Sequence, residues 1–176
     1  MIELVVPDPS LVVLIAAAGA GKTTFAARHF EPAEILSSDA YRARIAGDEA
    51  DQRATRAAFG QLHRALERRL ADGQLTVIDA TNVERSARLA LLARASAAAL
   101  PAIGIVLDLP AATILARNAG RTARIVEERV VRHHLSRLRG SLDGLAAPLD
   151  GEGFERVVVF RDPLDVDAVR IVRRPA

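Results

Sequence analysis

The sequence predicts an α/β fold: a doubly wound parallel sheet of five strands flanked by helices. Three observations carry this. Apolar runs of strand length recur with helical patterns between them, the order of parallel βαβ units. Half the residues are apolar yet only 3% are aromatic, which suits alanine-rich helices packed on an aliphatic sheet. The third is the stretch at 11–24, L-V-V-L-I-A-A-A-G-A-G-K-T-T, where a buried strand runs through small residues straight into a helix.

Taken in order, residues 1–10 read as a lead-in whose Pro7 and Pro9 limit regular structure. The first strand spans 11–15 and the first helix 22–29. Residues 34–37 form a short second strand closing in Ser37-Ser38-Asp39. Phe59, Leu62, Leu66 and Leu70 fall at helical spacing within 51–72, and Gly73 ends that helix. A buried strand at 75–78 leads to Asp79, and Thr81-Asn82-Val83-Glu84 has the pattern of a capping box opening the next helix. Strands follow at 103–107 and 157–160. At 176 residues the chain is expected to be one domain, 1–176, with a core of useful size.

The organising stretch carries the first chemistry. A tight turn between a parallel strand and a helix points its backbone N–H groups, with the helix dipole behind them, at an anion. Gly19, Ala20, Gly21, Lys22, Thr23 and Thr24 therefore form a P-loop for nucleotide phosphates. Lys22 reaches the β- and γ-phosphates, and the Thr23 hydroxyl is placed to ligate Mg²⁺. The first glycine of the usual G-x-x-x-x-G-K-[ST] pattern is Ala16 here, acceptable if its φ is negative. Of 24 Lys plus Arg, Lys22 is the only lysine, so a compact ammonium is kept for the phosphate position.

Ligands of doubly wound sheets bind at the carboxyl ends of strands, so the residues just after strands are the next candidates. Asp39 and Arg42, at i and i+3, share one helical face. Beside a γ-phosphate, Asp39 could take the proton of an acceptor hydroxyl, and Arg42 could fork onto an acceptor phosphate. A helix cap with a paired arginine explains the same two residues. Asp79 holds a Walker-B-like place toward a Mg²⁺-bound water, and Asn82 is an acceptor-side candidate. From Arg117 to Arg139 seven arginines face only Glu127 and Glu128, although the whole chain carries a net charge of +2. Arg117, Arg121 and Arg124 straddle Asn118-Ala119-Gly120, a pattern that fits a lid over phosphates at about 117–139. Glu127 and Glu128 could pair with Arg124 and Arg132.

The absence of cysteine excludes disulfides, thiolate chemistry and cysteine zinc sites. The histidines lack ligand spacing and read as surface or core residues. Without a basic leader or an apolar run near the ~18 residues of a spanning helix, a cytoplasmic protein with no membrane partner is expected.

Several of these motifs stand together in one family. From L-V-V-L-I through S-S-D-A-Y-R, D-E-A-D-Q, T-V-I-D-A-T-N-V and R-N-A-G-R-T-A-R-I-V-E-E to G-F-E-R-V-V-V-F, the chain resembles the 5′-hydroxyl kinase module of bacterial polynucleotide kinase-phosphatases, enzymes of RNA repair. More loosely it is similar to the phage polynucleotide kinases. The resemblance implies a Mg²⁺-dependent kinase moving the γ-phosphate of ATP, or another NTP, to the 5′-OH end of RNA or DNA in end healing. In that likeness Lys22 and Thr23 bind donor phosphates and Mg²⁺, and Asp39 is the general base. Arg42, helped by Gln52, holds the acceptor's 3′-phosphate; Arg117 is the catalytic lid arginine and Arg121 its support. Full-length members also carry phosphatase and ligase-like modules, which would be partners if this chain is an excised module. Two rivals remain: a P-loop kinase acting on a small-molecule hydroxyl, and a nucleotide-driven switch. Against the switch, the sequence has no guanine-reading N-K-x-D.

Overall fold

A computed structural model describes residues 2–46, 55–122, 125–143 and 149–176. Five parallel strands form the main sheet: β2 (Leu11–Ile15), β3 (Ile35–Ser37), β4 (Thr76–Asp79), β5 (Ala102–Leu107) and β6 (Arg156–Phe160). Their order is β3-β4-β2-β5-β6. The helices are α1 (Lys22–His29), α2 (Ser38–Ala46), α3 (Thr55–Ala71), α4 (Arg85–Ala97), α5 (Ala111–Ala119), α6 (Glu128–Leu142) and α7 (Pro163–Ala168).

The apolar run of β2 is explained by its central position. It lies between β4 and β5, and all five of its residues are buried. Its side chains alternate between two cores. Val12 and Leu14 join Phe25, Ile105 and Val131 on one face, while Leu11, Val13 and Ile15 join Leu62, Leu66 and Leu91 on the other. A strand covered on both faces has no polar side, hence the unbroken L-V-V-L-I.

The chain leaves β2 toward β3 on one side, and later crosses from β4 to β5 on the other. The crevice opened by that divergence lies at the carboxyl end of β2, where ligands of such sheets bind.

The lead-in departs from expectation. Residues Ile2–Asp8 form a strand, β1, which pairs in parallel with β7 (Val169–Pro175) as a separate two-stranded sheet. Proline is tolerated on an edge strand, where an N–H can face away from the ladder, so Pro7 ends no strand here. The capping box is also corrected. Helix α4 starts at Arg85 with Glu84 as its N-cap and no side-chain cap bond. The Glu84 carboxylate is instead gripped by Arg137 of α6 at 2.6 Å. Among the described residues no helix is long and apolar enough to cross a membrane.

Candidate functional site

The loop between β2 and α1 turns on its glycines. Gly19 (φ +88°) and Gly21 (φ +101°) adopt left-handed backbone, while Ala16 is not among the described non-glycine residues of positive φ. Ala16 is fully buried, and its N–H donates to the Thr81 carbonyl at 3.0 Å. The segment after β4 thus ties down the loop's entry, and alanine serves there without strain.

Lys22 folds back over this loop. Its Nζ donates to the carbonyls of Ala16 (3.1 Å) and Ala17 (2.9 Å). Burial lowers its pKa to about 8; the nearby Asp79 carboxylate pulls it up and Arg121 pushes it down. A cation held in the interior by two carbonyls can exchange them for the stronger acceptors of a phosphate.

Asp79 ends β4 opposite Ser37 in the β3 register, and its Oδ2 accepts from the Thr23 hydroxyl at 2.8 Å. A hydroxyl and a carboxylate held together at the loop fit a hard divalent cation that keeps several waters. The described residues contain no cluster of three or more His, Cys, Asp or Glu for a metal, so an ion here would rely on Thr23, Asp79, water and substrate phosphate.

Ser37 and Ser38 carry the chain from β3 into α2. The Ser37 hydroxyl accepts from the Ala40 N–H at 3.5 Å, so the weak first-turn cap is a serine. Asp39 lies inside that turn and is ion-paired with Arg42. The i,i+3 pairing read from the sequence is therefore present, and both side chains line the same cleft as the loop.

That cleft has a volume of about 640 Å³. It gathers Gly19, Gly21, Lys22, Thr23 and Thr24 of the loop with Asp39, Arg42, Asp79, Arg117 and Arg121. Ala20 is fully buried and offers its carbonyl to Arg117 Nη1 at 3.4 Å. One acceptor-side candidate, Asn82, is not gathered. Gln52 lies outside the described residues, as does Arg124. Asn82 is buried behind the strand ends, its amide donating to Leu14 O (2.7 Å) and Ala80 O (3.3 Å). At φ +50° it makes the turn that returns residues 80–82 over β2, a conformation asparagine tolerates. It is a buckle for the backbone and does not line the cleft.

Sequence reasoning missed two residues. Asn118, read as a helix break, is buried, and its carboxamide clasps Val126 from both sides: Nδ2 to O at 2.7 Å, and Oδ1 from N at 3.1 Å. His134, read as uninformative, lines the cleft, and its Nδ1 accepts from the Ala18 N–H of the loop at 3.5 Å. The signal was register. With Val131 and Leu138 buried on α6, His134 lies three and four residues from them on one helical face. The glutamates following Arg121 are occupied locally, Glu127 with Arg129 and Glu128 with Arg132.

A glycine turn after the middle strand of a parallel sheet, with a lysine folded over it and a hydroxyl bonded to the carboxylate that ends the next strand, makes this a P-loop fold of the kinase type. The chain belongs to the AAA_33 family, an AAA domain whose model matches residues 11–145. No match was found among curated proteins. Among solved structures it is similar to a chain of the Pnkp1/Rnl/Hen1 RNA repair complex, at 18% identity and TM-score 0.68, covering 80% of this chain and 47% of that one. It is also similar to a gluconokinase from Sinorhizobium meliloti 1021, at 18% identity and TM-score 0.54, covering 90% and 87%. A shikimate kinase from Acinetobacter baumannii shares 20% identity at TM-score 0.54, covering 90% and 88%. The chain spans about half the length of the repair-complex chain it matches. These likenesses show a P-loop kinase fold.

Proposed function

We propose that the protein is a polynucleotide 5′-hydroxyl kinase, transferring the γ-phosphate of ATP or another NTP to the 5′-OH end of RNA or DNA in end healing. The observation that carries this is the Asp39–Arg42 pair on the wall of the cleft that also holds Lys22 and Thr23. Phosphoryl transfer to an alcohol needs a carboxylate near the γ-phosphate, and an acceptor that is itself a phosphate ester needs a cation close to that carboxylate.

In the reaction the 5′-oxygen forms its bond to the γ-phosphorus as the bond to the β–γ bridging oxygen breaks, and nucleoside diphosphate leaves. The acceptor's proton passes to the Asp39 carboxylate. Arg42 turns part of its guanidinium from Asp39 to the acceptor's phosphate. Lys22 exchanges the carbonyls of Ala16 and Ala17 for donor phosphate oxygens, while Gly19 and Gly21 let the loop backbone approach them. Arg117 and Arg121 come from the α5 side as lid arginines, lowering the cost of charge on the moving group. Thr23 and Asp79 would hold Mg²⁺, which when bound neutralises charge on the β- and γ-phosphates.

A small-molecule acceptor is the second reading, because the gluconokinase and shikimate kinase matches cover nearly the whole chain. Radiolabelled ATP offered with a 5′-OH oligonucleotide, a 3′-nucleoside monophosphate, plain nucleosides and sugar acids separates the two. The proposal expects label on the first two. Label confined to nucleosides or sugar acids overturns it in favour of the second reading. Nucleotide binding with no acceptor labelled returns the switch. The chain is expected to act in the cytoplasm, with phosphatase and ligase-like modules as partners.

A further inference from the structure

We propose that Phe59 is a stacking platform for the acceptor's 5′-terminal nucleobase, so that the wall beside Asp39 and Arg42 is a nucleoside subsite. This rests on the polynucleotide reading above.

The chain has five Phe, one Tyr and no Trp. Phe25, Phe30, Phe154 and Phe160 are buried in the two cores, each 8% exposed or less. Tyr41 is half-buried, with the Arg44 guanidinium 5.3 Å above its ring. Phe59, on α3, lines the cleft together with Asp39 and Arg42.

Helix α3 turns Ala58, Leu62 and Leu66 into the core, and Phe59 lies at the margin of that face, half-buried. One turn on, its ring meets the His63 ring at 6.1 Å and 55°. Nothing in phosphate chemistry uses a phenyl ring, and leaving one partly in water at a charged cleft forgoes burial that the other four achieve. A nucleotide acceptor accounts for the combination. Its hydroxyl needs Asp39, its phosphate needs Arg42, and its base needs a flat apolar surface close to both. Stacking accepts any base, because every base has a π-face. A sugar acid offers none.

The test is a cycle between protein and substrate. Wild type and Phe59→Leu are assayed with a 5′-OH oligonucleotide, and with the same oligonucleotide carrying an abasic 5′-terminal residue. Leucine keeps the apolar packing and removes the ring. The expected result is an acceptor KM raised roughly 5- to 150-fold on the intact oligonucleotide, the range base–aromatic stacking gives, with donor-nucleotide affinity held. Wild type should lose the same factor on the abasic acceptor, the variant should lose nothing more there, and Phe59→Tyr should restore the intact acceptor's KM. An equal rise on both acceptors, or no rise, overturns the platform while leaving the kinase reading intact. If wild type labels no oligonucleotide at all, the kinase reading fails and the platform with it.

Discussion

Gly19→Ala measures how tightly the loop is built into the fold. At φ +88° an alanine enters left-handed backbone, which costs about 1–2 kcal/mol. The new methyl would also stand 2.9 Å from the Ile114 carbonyl oxygen and 3.0 Å from Asn118 Cβ, both on α5. Backbone cannot swing aside as a side-chain tip does, so overpacking adds about 1–3 kcal/mol. The total, about 2–5 kcal/mol, is a large part of the ~5–15 kcal/mol that holds a domain folded. Gly73→Ala is the matched control. Its φ is +64° but nothing lies within 4 Å of the added carbon, so only the backbone cost applies. Urea unfolding of both variants, with a fluorescent nucleotide titration of each, reads the difference. Gly19→Ala should unfold at lower urea than Gly73→Ala, and it alone should bind nucleotide more weakly, because relieving the clash moves loop or α5. Equal losses in the two variants would refute the packing of α5 on the loop.

Three further perturbations address the chemistry and its support. Asp39→Ala should cut phosphoryl transfer by about 10²–10⁴-fold with nucleotide affinity retained, and a near-normal rate would remove Asp39 from the role of base. Lys22, its pKa lowered to about 8 by burial, is charged below that value and neutral above it. Phosphate favours the charged form, so nucleotide affinity measured by calorimetry should fall as pH rises past about 8, by up to roughly tenfold per pH unit. A flat profile would mean that Lys22 does not meet the phosphates. Arg88 and Glu152 are a fully buried ion pair at 2.6 Å, and Arg88 also donates to the Asn82 and Val83 carbonyls. Arg88→Ala leaves the buried Glu152 carboxylate with only the half-exposed Arg85, 3.7 Å away, and should cost up to about 3–5 kcal/mol in urea unfolding, whereas combining Arg88→Met with Glu152→Gln should recover part of it. A cost under about 1 kcal/mol would mean that water or Arg85 satisfies Glu152 in place of Arg88.

What the letters carried was local. The β2 run, the glycine turn and the start of α1 are contiguous, and a turn that must reach positive φ twice within three residues announces itself as Gly19 and Gly21. The i,i+3 relation of Asp39 and Arg42 is likewise set by helix geometry alone, and so is their pairing. Strand order was not legible, because parallel pairing joins segments far apart in the chain and any apolar strand can lie beside any other. The β1–β7 sheet escaped for that reason, since neither strand is recognisable until the other is beside it. Asn82 and Asn118 escaped for a related one. Asn82 reads as a ligand group on paper and Asn118 as a helix break, and only tertiary contact showed the backbones of Leu14 and Val126 already holding them. The sequence by itself determined the phosphate-binding turn, because its constraints act between neighbouring residues. The tertiary structure decided which distant side chains share the cleft, because that depends on how the sheet orders its strands and on where α3, α5 and α6 come to rest against it.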